Sequence, residues 1–400
     1  MPLPDLLVQA RALQPRTVAL RRAVHRHPEL GLHLPRTRDA VLTALADLPL
    51  QVHLGVGTTS VVAVLDGARP GPTVLLRGDM DGLPVTEDTG LPFASEVDGR
   101  MHACGHDTHV AMLASAARLL TVRRDELAGR VLFMFQPGEE GHHGARYMID
   151  EGLLDATGPA GRPERAYALH ISATLPAGEL HVRPGPVMAA ADVLRVVVTG
   201  RGGHASAPHD AIDPVPAAAA MVGALQTAVT REVAAADAAV LTIAHIRAGT
   251  TDNVIPETAF LEGTLRTLRE DVRLRLRDAV RRVCTHTALA HGCTAEVEVE
   301  PGYPVVVNDD AAAAHVTDVA TGVLGAPRVL AMPAPIMGAE DFAYVLEQVP
   351  GALAFLGGCP AGADPADVAP NHSNRAVFDE SAMAAGVAVY AGLALDALST

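Results

Sequence analysis

The first part of the chain alternates short apolar runs with a helical pattern. TVLLR (73–77), VLFMF (131–135) and AYALH (166–170) are short and apolar, as is typical of buried strands. From Val110 to about Arg123, apolar residues recur at helical spacing, and LAFLGG (353–358) reads as a further strand. This alternation predicts an α/β fold in which helices cover a sheet.

The middle of the chain has a different pattern. A strand, VLRVVVTG (193–200), is followed by a helix over 213–233, two strands, a second helix and a last strand. The order β-α-β-β-α-β is that of a ferredoxin-like α+β domain. We therefore predict a catalytic domain made of residues 1–188 and 302–400, interrupted by an inserted domain of residues 189–301.

Composition and charge exclude several classes of function. The net charge of −15 and the absence of a basic stripe argue against a nucleic-acid partner. No apolar run is long enough to suggest a membrane span, and the opening residues lack a signal-peptide pattern, so we expect a cytoplasmic protein. Cys284, Cys293 and Cys359 are expected to be reduced, partly buried thiols.

Polar groups follow each predicted strand of the α/β part. TVLLR runs into GDMDGLP, VLFMF runs into QPGEEGHHG, and AYALH ends on His170. Ligands of α/β sheets gather beyond the carboxyl ends of strands. The sequence therefore predicts a functional site at this edge of the sheet.

The segment MHACGHDTH (101–109) concentrates candidate metal donors. Cys104 and His106 are two residues apart, which suits a loop before a helix. Asp107 or Thr108 would be the N-cap of that helix, and for Asp107 capping is favoured over metal ligation. The neighbouring histidines, His102 and His109, are expected to support the site or to pack, because a tight metal site cannot use every nearby donor.

One cysteine and one histidine do not complete a catalytic zinc site, which needs at least one further donor. The candidates are Glu139, Glu140, His170 and one of the later histidines. QPGEEG could be a solvated acidic turn, but its glycines and its place at a strand end favour a site. Two adjacent glutamates can divide the work, one binding metal and the other acting as general base on water.

Eight motifs, taken in order, extend this hypothesis over nearly the whole chain: HRHPELG (25–31), RGDMDGLPVTEDTG (77–90), GRMHACGHDTHVAML (99–113), QPGEEG (136–141), GRGGHASAPHDAIDPV (200–215), TTDNVIPETAFLEGTLRT (250–267), MGAEDFAY (337–344) and NHSNRAVFDE (371–380). Together they resemble the amidohydrolase branch of the di-metal aminoacylase/carboxypeptidase family of metallopeptidases, which includes hippurate hydrolases, N-acyl-amino-acid deacylases and auxin-conjugate hydrolases. The resemblance implies a phosphorylase/hydrolase-like catalytic domain with a mixed, largely parallel sheet, an inserted ferredoxin-like dimerisation (lid) domain, and a homodimer or higher oligomer.

The resemblance also implies roles for individual residues. Two divalent metal ions (Zn, Mn, Co or Ni) would be held by Cys104, His106, Glu140, His170 and His372. Glu139 would be the general base, and Asp81 would orient a ligand histidine; Asp79 is left unassigned. Five ligands give each of two metals three donors only if one is shared, and a thiolate can bridge, so Cys104 is the natural candidate. The chain departs from the family at Gly78, where Ala is usual, and at HISATLP (170–176).

In the predicted inserted domain, three residues match substrate-binding positions of the family. The histidine matching His204 reaches across a dimer interface and helps to stabilise the oxyanion. Asn253 would bind substrate, and Arg266 would receive a carboxylate. From the residues alone, His204 would be a surface turn residue, Asn253 a strand-end cap and Arg266 a solvated charge.

The sequence therefore predicts a metal-dependent hydrolase that cleaves the amide bond of N-acyl-L-amino acids. A dipeptidase or carboxypeptidase on the same di-metal site is an alternative, because a dipeptide also presents an amide beside a carboxylate. A second mechanism would make Cys104 a nucleophile activated by a histidine. A third hypothesis, from another class, is a catalytically silent metal-binding or peptide-binding protein.

Overall fold

Strands and helices alternate along most of the chain in the computed structural model, which describes residues 4–158 and 161–399. The strands are β1 (Gln51–Leu54), β2 (Val61–Asp66), β3 (Arg69–Asp79), β4 (Ala128–Gln136), β5 (Pro163–Ser172), β6 (Leu180–Val182), β7 (Gly185–Met188), β8 (Ala190–Thr199), β9 (Gly203–His204), β10 (Ala239–Ala248), β11 (Val254–Ile255), β12 (Thr258–Thr267), β13 (Thr294–Glu300), β14 (Val306–Asn308), β15 (Val329–Ala331) and β16 (Gly351–Gly357). The α-helices are α1 (Pro4–His25), α2 (Pro35–Leu45), α3 (His106–Val122), α4 (Gly144–Asp150), α5 (Pro214–Glu232), α6 (Glu270–Ala290), α7 (Asp310–Leu324), α8 (Ala343–Leu346) and α9 (Met383–Ala397).

The larger sheet has eight strands in the order β1-β2-β4-β3-β5-β16-β6-β15. Its four central strands, β4, β3, β5 and β16, are parallel neighbours. On either side, β2 pairs antiparallel with β4, and β6 pairs antiparallel with β16. The sheet is therefore mixed with a parallel centre, which confirms the predicted α/β class.

The central strands are apolar because both of their faces are covered. Val131, Leu132, Phe133, Met134 and Phe135 are all fully buried in β4, which gives the continuous apolar run typical of parallel strands. Helices α1, α3, α7 and α9 pack against one another beside this sheet. Helix α9 is apolar on all sides and almost entirely buried. No helix in the described part of the chain combines the length and apolarity needed to cross a membrane.

The parallel centre brings four strand ends to one edge of the sheet. Strand β3 ends at Asp79, β4 at Gln136, β5 at Ser172 and β16 at Gly357. Since neighbouring parallel strands point the same way, the polar segments that follow these ends lie along the same edge. The fold thus collects the segments that the sequence analysis selected.

The four-stranded sheet has the order β10-β12-β8-β13, and each neighbouring pair is antiparallel. With α5 between β8 and β10, and α6 between β12 and β13, this is the ferredoxin-like arrangement. Every second residue of β8 from Ala190 to Val198 is buried, and Leu194, Val196 and Val198 belong to one core with residues of α5 and α6. Helix α5 begins where the Asp213 side chain accepts a hydrogen bond from the backbone N–H of Val215.

The chain divides into two compact units. Unit 1 comprises Met1–Gly185, Val307–Pro333 and Asp341–Thr400, and unit 2 comprises Pro186–Val306 and Ala334–Glu340. The segment Ala334–Glu340 lies inside the range predicted for the catalytic domain but belongs to unit 2. Two backbone hydrogen bonds attach it there: the N–H of Ile336 donates to Val187, and that of Ala189 donates to Gly338. The names catalytic domain and dimerisation (lid) domain remain predictions.

Candidate metal centre

Two groups of metal donors share one cysteine in unit 1. Cys104, His106 and His170 form the first group, and Cys104, Glu140 and His372 form the second; within each, the ligand atoms lie within 4.8 Å of one another. Cys104 Sγ is 3.4 Å from Nε2 of His170 and 3.2 Å from Nε2 of His372. The geometry thus places the five predicted ligands together, with the cysteine positioned to bridge.

These donors come from different parts of the fold. Cys104 lies in the turn before α3, and His106 is the first residue of that helix. His170 is near the end of β5, Glu140 follows the end of β4, and His372 lies in the loop between β16 and α9. Donors separated along the chain therefore meet because the ends of parallel strands and the start of a helix share one edge of the sheet.

The donor chemistry fits divalent cations. Neither ring nitrogen of the buried His106 makes a hydrogen bond within the described residues. Buried polar atoms without partners are costly, and a cation held between them would satisfy their lone pairs. Thiolate, imidazole and carboxylate donors suit zinc and other first-row divalent ions.

The charges around the donors also favour cations. Burial alone would lower the pKa of His106, but the negative charges of Asp79 and Cys104 outweigh it and hold that pKa well above its usual value. Hydrogen bonds to Cys104 and Glu140 raise the pKa of His372 to about 10. Burial lowers the pKa of His170, which therefore stays a neutral imidazole. The negative charges around His106 and His372 attract a metal cation as well, and the cation would compete with protons for the same nitrogen atoms.

Asp81 holds the paired glutamates by their backbone. Its Oδ1 accepts a hydrogen bond from the N–H of Glu139 at 3.0 Å, and its Oδ2 accepts one from the N–H of Glu140 at 2.9 Å. Its Oδ1 also lies 3.5 Å from Nδ1 of His106. One carboxylate thus contacts the predicted general base, one predicted carboxylate ligand and one predicted histidine ligand, which is more than the orienting role expected from the resemblance.

Asp79, which the sequence left unassigned, fixes the tautomer of His109. Nδ1 of His109 donates to Asp79 Oδ1 at 2.5 Å, while its Nε2 accepts a hydrogen bond from the backbone N–H of Ile171 at 2.8 Å. Asp79 Oδ2 pairs with Arg77 at 2.7 Å, and burial of this carboxyl is outweighed by Arg77, so its pKa lies well below the usual value. His109 therefore supports the strand end beside His170, consistent with its predicted supporting role.

The prediction that Asp107 or Thr108 caps α3 is wrong. The N-cap residue is Gly105, and the helix has no side-chain cap. Asp107 instead accepts hydrogen bonds from Arg21 Nε at 3.0 Å and His25 Nδ1 at 2.8 Å, and it is fully buried. The N-cap is two residues before Asp107, so the aspartate lies in the first turn of the helix and faces α1 rather than the free N–H groups.

Gly105 is required by its backbone and by its surroundings. Its φ is +87°, and a Cβ there would overlap the side chains of Ile171 and Phe378. We expect Gly105→Ala to lower the free energy of unfolding by about 2–4 kcal/mol, the sum of left-handed strain and overpacking. Chemical denaturation would measure this. The control Gly99→Ala has φ +71° with open space around the new Cβ, so it carries only the backbone strain. Equal losses in both variants would contradict the packing argument.

The three residues predicted to bind substrate all lie in unit 2. β9 pairs with β11 so that His204 lies opposite Val254, and the N–H of Ala205 donates to the carbonyl of Asn253 at 3.0 Å. His204 and Asn253 are thus close neighbours, and both are exposed. Arg266 lies on β12 and donates through Nη1 to the carbonyl of Met337 at 2.8 Å. Their roles toward substrate stay predictions.

Comparison with known proteins decides the family. Residues 75–396 match the model of Peptidase family M20/M25/M40. The chain belongs to this family. It is 38% identical to thermostable carboxypeptidase 1 of Saccharolobus solfataricus, with 94% of each chain covered. It is also 38% identical to the N-acetylcysteine deacetylase of Bacillus subtilis, covering 87% of this chain and 89% of that one.

A solved structure of the same family agrees in fold. The YxeP protein of Bacillus subtilis, described as a dinuclear metal-binding peptidase of the M20 family, superposes with a TM-score of 0.83 at 33% identity, covering 97% of this chain and 99% of that one. Together with the two donor groups, this membership makes the protein a metal-dependent hydrolase of amide bonds that binds divalent metal ions.

Proposed function

We propose that the protein hydrolyses N-acyl-L-amino acids to a carboxylic acid and a free amino acid. The observation that carries the proposal is the pair of donor groups that share Cys104 beside Glu139. Oε2 of Glu139 lies 3.9 Å from Nε2 of His106, and the side chain is only 7% exposed. Relatives described as deacetylases and amino-acid conjugate hydrolases support this substrate class.

The metal ligands in this proposal are Cys104, His106, Glu140, His170 and His372. When two divalent cations are bound there, they polarise the acyl carbonyl and lower the pKa of a bound water. The two formal negative charges of the Cys104 thiolate and Glu140 do not neutralise two such cations, so the centre favours an anionic substrate. Zinc suits this donor set, but Mn, Co or Ni can occupy the same donors, because availability often decides.

Glu139 is the proton carrier of the proposed reaction. Its carboxylate takes the proton from the attacking water and delivers it to the leaving nitrogen. Asp81 holds the backbone of Glu139 and of Glu140 with its two carboxylate oxygens. This keeps the base and the carboxylate ligand at a fixed spacing, so the proton is taken up beside the metal donors rather than in bulk water.

Substrate recognition is assigned to unit 2 in this proposal. His204 stabilises the oxyanion, Asn253 binds substrate, and Arg266 receives the carboxylate of the amino acid. The contact between the His204 and Asn253 segments supports a joint role for the first two. For Arg266, Nη1 donates to the carbonyl of Met337, which restrains the guanidinium.

Replacing Arg266 tests the carboxylate contact. We expect Arg266→Lys to raise KM for an N-acetyl amino acid by about 10- to 100-fold, because a bidentate charge-assisted contact is lost. The same variant should change KM much less for the corresponding N-acetyl amino acid amide, which has no carboxylate. Steady-state kinetics with both substrates give the comparison. Equal effects on the two substrates would assign Arg266 to structure instead.

A substrate panel tests the function as a whole. The metal-reconstituted protein is incubated with acetyl-, benzoyl- and longer-chain acyl amino acids, and with dipeptides and carboxyl-blocked peptides. We expect the acyl amino acids to be cleaved with the highest kcat/KM, and a chelator to abolish the activity. Preference for C-terminal residues of longer peptides would favour the carboxypeptidase alternative, which the Saccharolobus relatives carry in their names. No cleavage of any amide would refute the proposal.

The proposal also assigns an oligomeric state and a compartment. The homodimer, or higher oligomer, follows from the family resemblance and from the role given to His204, and light scattering in solution would test it. The cytoplasmic compartment follows from the sequence pattern. Four free, buried cysteines are compatible with a reducing compartment.

A further inference from the structure

Asn371 directly precedes the proposed ligand His372, and its side chain joins three backbone segments. Its Nδ2 donates to the carbonyl oxygens of Cys104 at 3.0 Å and Ile171 at 2.9 Å. Its Oδ1 accepts a hydrogen bond from the N–H of Ala173 at 2.9 Å. A single amide group therefore ties the loop that carries His372 to the turn that carries Cys104 and to the end of the strand that carries His170.

His372 needs such support more than the other donors. Its side chain is 56% exposed, whereas that of Glu140 is 14% exposed and His106 is fully buried. Its backbone φ of +70° lies in the left-handed region, which residues other than glycine rarely adopt. Since burial does little to hold the ring, its position depends on hydrogen bonds, which in the backbone of the loop include those of Asn371 and the bond from the N–H of His372 to Ala103.

Asn371 also reaches His170 through a shared carbonyl. The carbonyl oxygen of Ile171 accepts a hydrogen bond from Nδ1 of His170 at 2.8 Å as well as the one from Asn371. Protonation at Nδ1 leaves the lone pair of His170 on Nε2, which faces Cys104 Sγ. Such a partner on the far ring nitrogen sets the tautomer and the ring angle of a ligand histidine.

We infer that Asn371 is a positioning residue that sets the spacing of Cys104, His170 and His372 for two metal ions, an inference that rests on the proposed function. Cys104 belongs to both donor groups, His170 to the first and His372 to the second. Loss of Asn371 therefore weakens both metal positions. Partners of this kind change metal affinity by about 10- to 100-fold.

The chain offers a matched control in Asn308. Its Nδ2 donates to the carbonyl oxygens of Arg183 and Leu353, both at 2.9 Å, and its Oδ1 accepts from the N–H of Leu353 at 2.8 Å. This is the same pattern of two donated bonds and one accepted bond, but it lies near the start of β16 rather than beside the donors. Asn308→Ala therefore removes an equivalent bridge from the fold and leaves the metal donors in place.

The test is a titration of the full-length, chelator-treated protein with Co²⁺, followed by the thiolate-to-cobalt charge-transfer absorption. For Asn371→Ala we expect both dissociation constants to rise by about 10- to 100-fold and the absorption per bound cobalt to fall. For Asn308→Ala we expect a lowered thermal midpoint and dissociation constants within about twofold of wild type, because this bridge does not orient a ligand. Unchanged cobalt binding in Asn371→Ala, or equal weakening in both variants, overturns the inference.

A second variant covers the case in which Asn371→Ala does not fold. Asn371→Asp keeps the acceptor for Ala173 but turns an oxygen toward two carbonyl oxygens, so we expect it to bind cobalt no better than the Ala variant. Wild-type affinity in Asn371→Asp would equally overturn the inference. Because no acyl amino acid enters the titration, a wild-type protein that binds cobalt but cleaves no substrate refutes the proposed function alone.

Discussion

Replacing Glu139 by Gln is expected to lower kcat by about 10²- to 10⁴-fold, the contribution of a positioned general base. The amide keeps the shape of the side chain but cannot take a proton from water. Two bound metal ions per chain should remain, because Glu139 belongs to neither of the two Cys104-sharing donor groups. The measurements are steady-state kinetics on an N-acyl amino acid and the metal content of the purified variant.

Two further glutamate variants show whether the Glu139→Gln effect is specific to a general base. Glu140→Gln removes a donor from the second group, so it should lose metal as well as activity. Glu151→Gln changes an exposed carboxylate that accepts a hydrogen bond from the N–H of Gly57 at 2.7 Å, and it should retain wild-type kinetics. A Glu139→Gln enzyme with wild-type kcat would remove the residue from the mechanism. Loss of metal in that variant would instead make Glu139 a ligand.

Replacing Cys104 by Ala is expected to abolish tight binding of both metal ions. Cys104 is the donor common to the two groups, whereas His170 belongs only to the first and His372 only to the second. Metal analysis after equilibrium dialysis should therefore give close to no metal for Cys104→Ala. It should give about one ion per chain for His170→Ala and for His372→Ala. The affinity for each metal ion should fall by more than about 100-fold, which is the largest loss expected from a residue that only supports a ligand.

The matched control for this series is Cys359→Ala, which removes another buried thiol. It should retain two metal ions and wild-type activity. Two bound ions in Cys104→Ala would contradict the bridging role and would favour the mechanism in which Cys104 is a nucleophile. That alternative also predicts activity in the presence of chelators and a trapped acyl-thioester, so a chelator experiment on the wild-type protein separates the two mechanisms.

Much of the architecture could be predicted because the apolar pattern is strong. Strands such as TVLLR and VLFMF are buried on both faces, so their sequences are apolar throughout. In β8 burial alternates from residue to residue, but VLRVVVTG is apolar at most positions of both kinds, so only the structure shows which face is buried. The order of elements in the middle of the chain then suffices for the ferredoxin-like arrangement. No apolar pattern predicts that Ala334–Glu340 belongs to unit 2, because backbone hydrogen bonds attach this segment.

Within the candidate centre, residue types were easier to predict than contacts. The spacing of Cys104 and His106 and the adjacent glutamates indicated donors and a base. The N-cap assignment of Asp107 failed because a buried arginine and histidine on another helix compete for that carboxylate. Asn371 was missed although it adjoins His372, since its three partners are backbone groups, and no residue pattern shows where those lie.

The sequence by itself determined the element order, the fold class, the family resemblance and the set of candidate donors, because each depends on residue type and local spacing. Only the tertiary structure decided which donors share Cys104, which carboxylate holds the backbone of the paired glutamates and which amide ties the three ligand-bearing segments together. Those relations join residues up to 268 positions apart in the chain. They arise where parallel strands end at a common edge, which is a property of the folded sheet rather than of any one segment.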